Sequence, residues 1–73
     1  LAVYPTMVLQ GETFELHGLA DGSEFRIASM NGQQQGQFVY QAGQSFPARF
    51  PKGWLILQSG SGRNRKTAKL LVQ

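Results

Sequence analysis

Six clusters of turn-forming residues cut this chain into pieces too short for a packed helix. They are Gln10-Gly11, Ala20-Asp21-Gly22, Asn31-Gly32, Ala42-Gly43, Pro51-Lys52-Gly53 and Ser59-Gly60-Ser61-Gly62. Gly and Asn accept backbone conformations that other residues avoid, and Pro removes a backbone donor. No window between the clusters sustains a helical apolar period. Short apolar pieces between regularly spaced turns are the pattern of an all-β sandwich or barrel.

The pieces read as strands. Glu12 to His17 alternates, with Phe14 and Leu16 on one face and Thr13, Glu15 and His17 on the other. Glu24 to Met30 places Phe25 and Ile27 together, with Arg26 opposite. Asp21-Gly22 between them suits a hairpin. Gln37 to Gln41 sets Phe38 and Tyr40 on one face, and Asn31-Gly32 with the following Gln-rich stretch forms the loop before it. Phe46, Ala48 and Phe50 alternate with Pro47 and Arg49, and Pro47 confines this piece to a sheet edge. Gly53 to Gln58 holds the unbroken run Trp54-Leu55-Ile56-Leu57, which predicts burial on both sides. Thr67 to Val72 turns Ala68, Leu70 and Val72 one way and Lys69 and Leu71 the other. Leu1 to Tyr4 forms a short first strand stopped by Pro5. About seven short antiparallel strands in one domain over residues 1–73 predict a small immunoglobulin-like β-sandwich.

A domain of 73 residues has a marginal core, and with no Cys it has no disulfide to reinforce it. Stability must come from packed side chains or from a neighbour, so edge-strand pairing into a homodimer is one expectation. The first residue is Leu1, and we expect the chain to be a fragment of a longer secreted precursor. The net charge is +3, and no acidic residue follows Glu24. Arg63, Arg65, Lys66 and Lys69 crowd the last eleven positions.

Catalytic constellations are poorly supplied. The lone His17 stands on the polar face of a strand, and a catalytic His needs a partner and a nucleophile in reach. Glu12, Glu15, Asp21 and Glu24 all lie in or beside the first two alternating pieces, where solvated charges are the simpler reading than a carboxylate pair for glycoside hydrolysis. Ser59-Gly60-Ser61-Gly62 lacks the Lys and the helix of a phosphate loop. One His, four carboxylates and no Cys, dispersed along the chain, argue against a metal site, and we expect no cofactor and no catalytic residue. Basic residues at Arg63, Arg65 and Lys66 with scattered aromatics fall short of a nucleic-acid module, which lacks its signature motifs here, and no nucleic-acid partner is expected. Trp54 and Tyr40 have the chemistry of a sugar platform, but core burial is the expectation for both.

The order of four motifs resembles the C-terminal sorting domain of the bacterial type IX secretion system. Val3-Tyr4-Pro5-Thr6 is similar to the family's Tyr-Pro-Asn-Pro opening, without the Asn and second Pro. Phe25 to Gln33 is similar to a strand ending in Asp-X-X-Gly-Arg/Lys, with Ser29 at the Asp position, Asn31-Gly32 at the turn and Gln33 at the basic one. Phe50-Pro51-Lys52-Gly53-Trp54-Leu55 is similar to Leu-Pro-X-Gly-X-Tyr, with Leu55 at the Tyr position. Lys66-Thr67-Ala68-Lys69-Leu70-Leu71-Val72 is similar to a terminal Lys-X-X-Lys-Leu-Val/Ile-Val strand.

The resemblance implies a non-catalytic signal domain that carries a cargo through the periplasm and the outer membrane to the cell surface. Its implied partners are the outer-membrane components of that system, a shuttle protein and a sortase-like surface protease, together with anionic lipopolysaccharide. The residues expected to meet this machinery are Lys52, Gly53, Lys66, Lys69, Leu70, Leu71, Val72 and Gln73. Tyr4, Pro5, Asn31, Gly32 and Trp54 are expected in structural turns and packing. Leu70 and Val72 would also anchor the last strand, leaving its lysines free. The competing expectation is an adhesin-like or carbohydrate-binding sandwich of a surface protein, in which Trp54 or Tyr40 is exposed.

Overall fold

The computed structural model describes residues 1–60 and 62–73. Ser61, part of the last expected turn, lies outside them. Among the described residues eight strands form: β1 (Ala2–Tyr4), β2 (Met7–Val8), β3 (Thr13–His17), β4 (Glu24–Ser29), β5 (Gln34–Val39), β6 (Ser45–Pro47), β7 (Gly53–Ser59) and β8 (Lys66–Val72), with a short 3₁₀ turn at Gly62–Asn64. They build a three-stranded sheet in the order β1-β3-β6 and a five-stranded sheet in the order β2-β8-β7-β4-β5. The two pack as a small all-β sandwich.

One neighbour pair departs from the expected antiparallel pattern. β2 runs parallel to β8, with Met7 opposite Leu71 and Val8 opposite Val72. The opening segment serves both sheets in turn, β1 in the smaller and β2 in the larger, and the Tyr4-Pro5 bond between them is cis. The single strand expected over Leu1 to Tyr4 is thus followed by a second, β2, that its sequence did not anticipate.

The strands form where apolar residues recur at every second position, and their buried faces meet between the sheets. Phe14 and Leu16 of β3 face Phe25 and Ile27 of β4, Leu55 and Leu57 of β7, and Leu70 and Val72 of β8, all 2% exposed or less. Full burial of each such side chain contributes roughly 1.5–3 kcal/mol. Phe46, Ala48 and Phe50 are buried as their alternation predicts, and Pro47 ends the edge strand β6. Tyr40 crosses the interior, and its Oη–H donates to the Leu16 carbonyl at 3.1 Å, tying the segment after β5 to the other sheet.

Three sequence expectations need correction. β3 and β4 are not a hairpin, because they belong to different sheets. Gly22 takes the expected positive φ of 84°, but the turn serves as a crossing. It lets two apolar faces oppose each other instead of lying side by side. The Gln-rich stretch is not a loop, since Gln34 to Gln37 belong to β5 and pair with β4. Gln has no strong strand preference, and the pairing decides. Trp54 is 48% exposed instead of buried. β7 has one covered face, filled by Leu55, Leu57 and Ser59, so Trp54 must point to solvent and Ile56 is only half-buried.

Candidate recognition surface

The hydrogen-bond register brings distant parts of the sequence to one end of the five-stranded sheet. Gly53 at the start of β7 lies opposite Val72, and Trp54 lies opposite Leu71. Leu71 is also opposite Met7 of β2. Met7, Leu71 and Trp54 therefore form one row across three strands on the solvent face. The next row is Lys69, Ile56 and Ala28. Antiparallel β4 ends at this same side, with Ser29 opposite Leu55, so the Asn31-Gly32 turn joins the group. The result is an apolar patch beside the exposed Lys52 and Lys69.

Each motif position has a physical reason for its place. Gly53 has φ +130°, a conformation that costs L-residues and suits Gly, and it leads the chain from Lys52 into β7. The Asn31 side chain organises the β4–β5 turn: its Oδ1 accepts from the Gln33 backbone N–H at 3.2 Å and from the Ser29 hydroxyl. Gln73 is exposed, yet its backbone is held at both ends. Its N–H donates to Val8 at 2.8 Å and its carbonyl accepts from Gln10 at 3.1 Å. Tyr4 and Pro5 are exposed at the crossing between sheets.

Not all the expected recognition residues belong to this surface. Leu70 and Val72 point into the core and are 0% and 1% exposed, so a partner does not touch their side chains. Lys66 stands at the other end of β8, roughly 20 Å from Val72 at strand rise, and its Nζ donates to the Gly18 carbonyl at 3.2 Å. Met7 and Ile56 belong to the surface and were not singled out in the sequence. The Met7–Leu71 pairing follows from the parallel β2, for which two residues leave no periodic signal.

β8 is second from the edge, and β2 covers only part of it. Leu71 N–H donates to Thr6 at 2.8 Å and Gln73 N–H to Val8, so odd-numbered backbone groups of β8 point outward. Among the described residues, those of Thr67 and Lys69 pair with no strand, although β1 of the smaller sheet passes close to β8. This stretch is an open edge with a lysine on it.

At the far end of the same face, Thr67, Gln58, Arg26 and Gln37 form a polar row. With Ser23, Glu24 and Ser59, the last three of these line a shallow cleft of about 420 Å³. Gln37 donates its amide to Glu24 at 2.9 Å, and Ser59 donates to the Glu24 carbonyl at 2.8 Å. His17 lies on the three-stranded sheet, 3.7 Å from Glu15, with both side chains exposed. No family model, curated protein or solved structure matches the chain.

Proposed function

We propose that the chain is a non-catalytic sorting domain of the type IX secretion class, addressing an attached cargo to the cell surface. The observation that carries this reading is the convergence of its motif positions. Tyr-Pro, Asn-Gly, Lys-Gly-Trp and the terminal Leu-Val-Gln are spread over nearly the whole sequence. The register gathers the last three at one end of the larger sheet, with Pro5 next to the residue that bonds Leu71. A recogniser binding there reads an apolar patch, two lysines and Gln73 together. An exposed apolar patch beside charged groups is the usual chemistry of a protein contact.

Deleting the last four residues is a poor test, because it removes Leu70 and Val72 from the core. The discriminating experiment fuses the chain to the end of a folded reporter in a bacterium that has this secretion system. The wild-type fusion is expected at the cell surface. The double variant Lys52→Glu/Lys69→Glu is expected to keep its thermal midpoint and lose surface delivery several-fold. A wild-type fusion that stays in the periplasm, or a charge-reversed fusion delivered normally, overturns the reading.

One observation favours a carbohydrate-binding module instead. Trp54 is half-exposed on the same face as the Arg26, Gln37 and Gln58 cleft, about 13 Å along β7 from Gln58. An aromatic platform with nearby hydrogen-bonding groups suits a short oligosaccharide. Trp54 is the single Trp, so its fluorescence reports on such a ligand directly. A saturable shift with an oligosaccharide, abolished in Arg26→Ala, would establish this reading over the first.

A further inference from the structure

We propose that two copies of this chain pair through their β5 edges, extending the five-stranded sheets into one continuous sheet. The inference is independent of the sorting reading. β5 is the outermost strand on the side away from β8. It is six residues long and contains no charge and no Pro. The other edges are guarded. β6 has three residues and ends in Pro47, and β1 has three and stops before Pro5. The open part of β8 carries Lys69 and follows Arg65 and Lys66, so two copies repel there. Edges that lack such guards are templates for strand addition.

The backbone fixes which groups are available. Tyr40 N–H donates to Ser23 at 2.8 Å, on the β4 side. Groups alternate along a strand, so those of Phe38 also face β4, and those of Gln37 and Val39 point outward. A register shift between Ile27 and Ala28 places a bulge near Gln35, which limits the regular edge to Gly36 through Val39.

Charge then selects the register. Across β4–β5, Arg26 is opposite Gln37 and Glu24 is opposite Val39, all on the solvent face. A two-fold axis through Phe38 sets Gln37 against Val39 of the second copy. Each row then reads Arg26, Gln37, Val39, Glu24 across both copies, with opposite charges at its ends. Centring on Gln37 would align Arg26 with Arg26, and centring on Val39 would align Glu24 with Glu24. The favoured register also makes both odd pairs hydrogen-bonded. It sets the two Phe38 residues opposite each other, at the rim of a largely apolar pocket of about 270 Å³ that Phe38 itself lines with Phe14, Ile27, Phe46, Phe50 and the cationic Arg49. Phe38 is 36% exposed in the single chain, with its ring 5.5 Å from that of Phe25.

Sedimentation of the chain over a wide concentration range tests this. The expected species at high concentration has twice the 8.1 kDa of one chain. Val39→Lys puts a lysine on the pairing edge itself, the kind of guard the β8 edge carries, and is expected to weaken the dimer about ten-fold. Adding Gln37→Glu sets a carboxylate opposite that lysine and is expected to restore it. A monomer at every concentration, a dimer indifferent to Val39→Lys, or a double variant no tighter than the single one overturns the proposal. Circular dichroism checks the fold of each variant. Should Val39→Lys fail to fold, Phe38→Cys decides. The chain has no other thiol, and the Cα atoms of the two substituted positions would lie about 4.5 Å apart, close enough to cross-link on oxidation. A chain that folds and does not cross-link also refutes it.

Discussion

Replacing Leu70 and Lys69 one at a time separates the two jobs of the last strand. The residues are neighbours in sequence and point to opposite faces of β8. Leu70 is 0% exposed and lies opposite Leu55 in the ladder. Truncating a fully buried leucine to Ala removes its transfer free energy and leaves a cavity, at a cost of about 2–5 kcal/mol. A chain of 73 residues has a total stability of roughly 4–11 kcal/mol. Leu70→Ala therefore removes a large share of it. At a cost of about 3 kcal/mol, the thermal midpoint falls by about 12–24 °C. Lys69 is exposed, and Lys69→Ala is expected to stay within about 0.5 kcal/mol of the parent. Urea unfolding followed by far-ultraviolet circular dichroism measures both. The Leu70→Ala midpoint moves with the slope unchanged if only the native core has been weakened. Leu70→Met, which conserves volume, should cost less than about 1.5 kcal/mol and keeps the comparison available should the Ala variant be unfolded. Equal costs for Leu70→Ala and Lys69→Ala would refute the assignment of faces and the argument built on it.

Two further substitutions probe the frame. Tyr40→Phe removes the Oη–H bond to Leu16 that links the sheets and leaves that carbonyl without this donor, so urea unfolding should show a loss of about 1–2 kcal/mol. Gly60→Ala should lower the thermal midpoint more than a surface substitution does. Gly60 has φ +82°, which costs an L-residue about 1–3 kcal/mol, and its added Cβ would stand 2.5 Å from the Asn64 carbonyl oxygen.

Alternation was the legible part of the fold. In β3, β4 and β8 one set of apolar residues recurs at every second position (Phe14 and Leu16, Phe25 and Ile27, Ala68, Leu70 and Val72), and each of these is buried or half-buried in the structure. Pro47 was legible as an edge residue for an equally local reason. The errors have a common origin in pairing, which is non-local. Asp21-Gly22 has the chemistry of a turn, but nothing in it says whether the chain returns along the same sheet or crosses to the other. The run Trp54-Leu55-Ile56-Leu57 is apolar on both faces, so its inward side was unreadable until β8 and β4 fixed it. β2 is too short to show any period. Its absence from the sequence reading hid the row that joins Met7 to Leu71 and Trp54, and with it the composition of the candidate surface.

The two open edges of the larger sheet differ in chemistry, and that difference keeps the proposed contacts apart. The β8 edge presents Thr67 and Lys69 within a basic segment, so a second copy is repelled and a partner with acidic groups is favoured. The β5 edge is uncharged, and only the flanking Glu24 and Arg26 orient what pairs with it. β7 and β4 lie between these edges, a separation of about 14 Å at ordinary strand spacing. Pairing at β5 thus leaves Lys52, Trp54, Lys69 and Leu71 uncovered in both copies. Val39→Lys should then disturb association without touching delivery of a fused cargo, while Lys52→Glu/Lys69→Glu should do the reverse. A variant of either kind that impaired both would mean that one surface serves both contacts, and the register argument at β5 would have to be given up first.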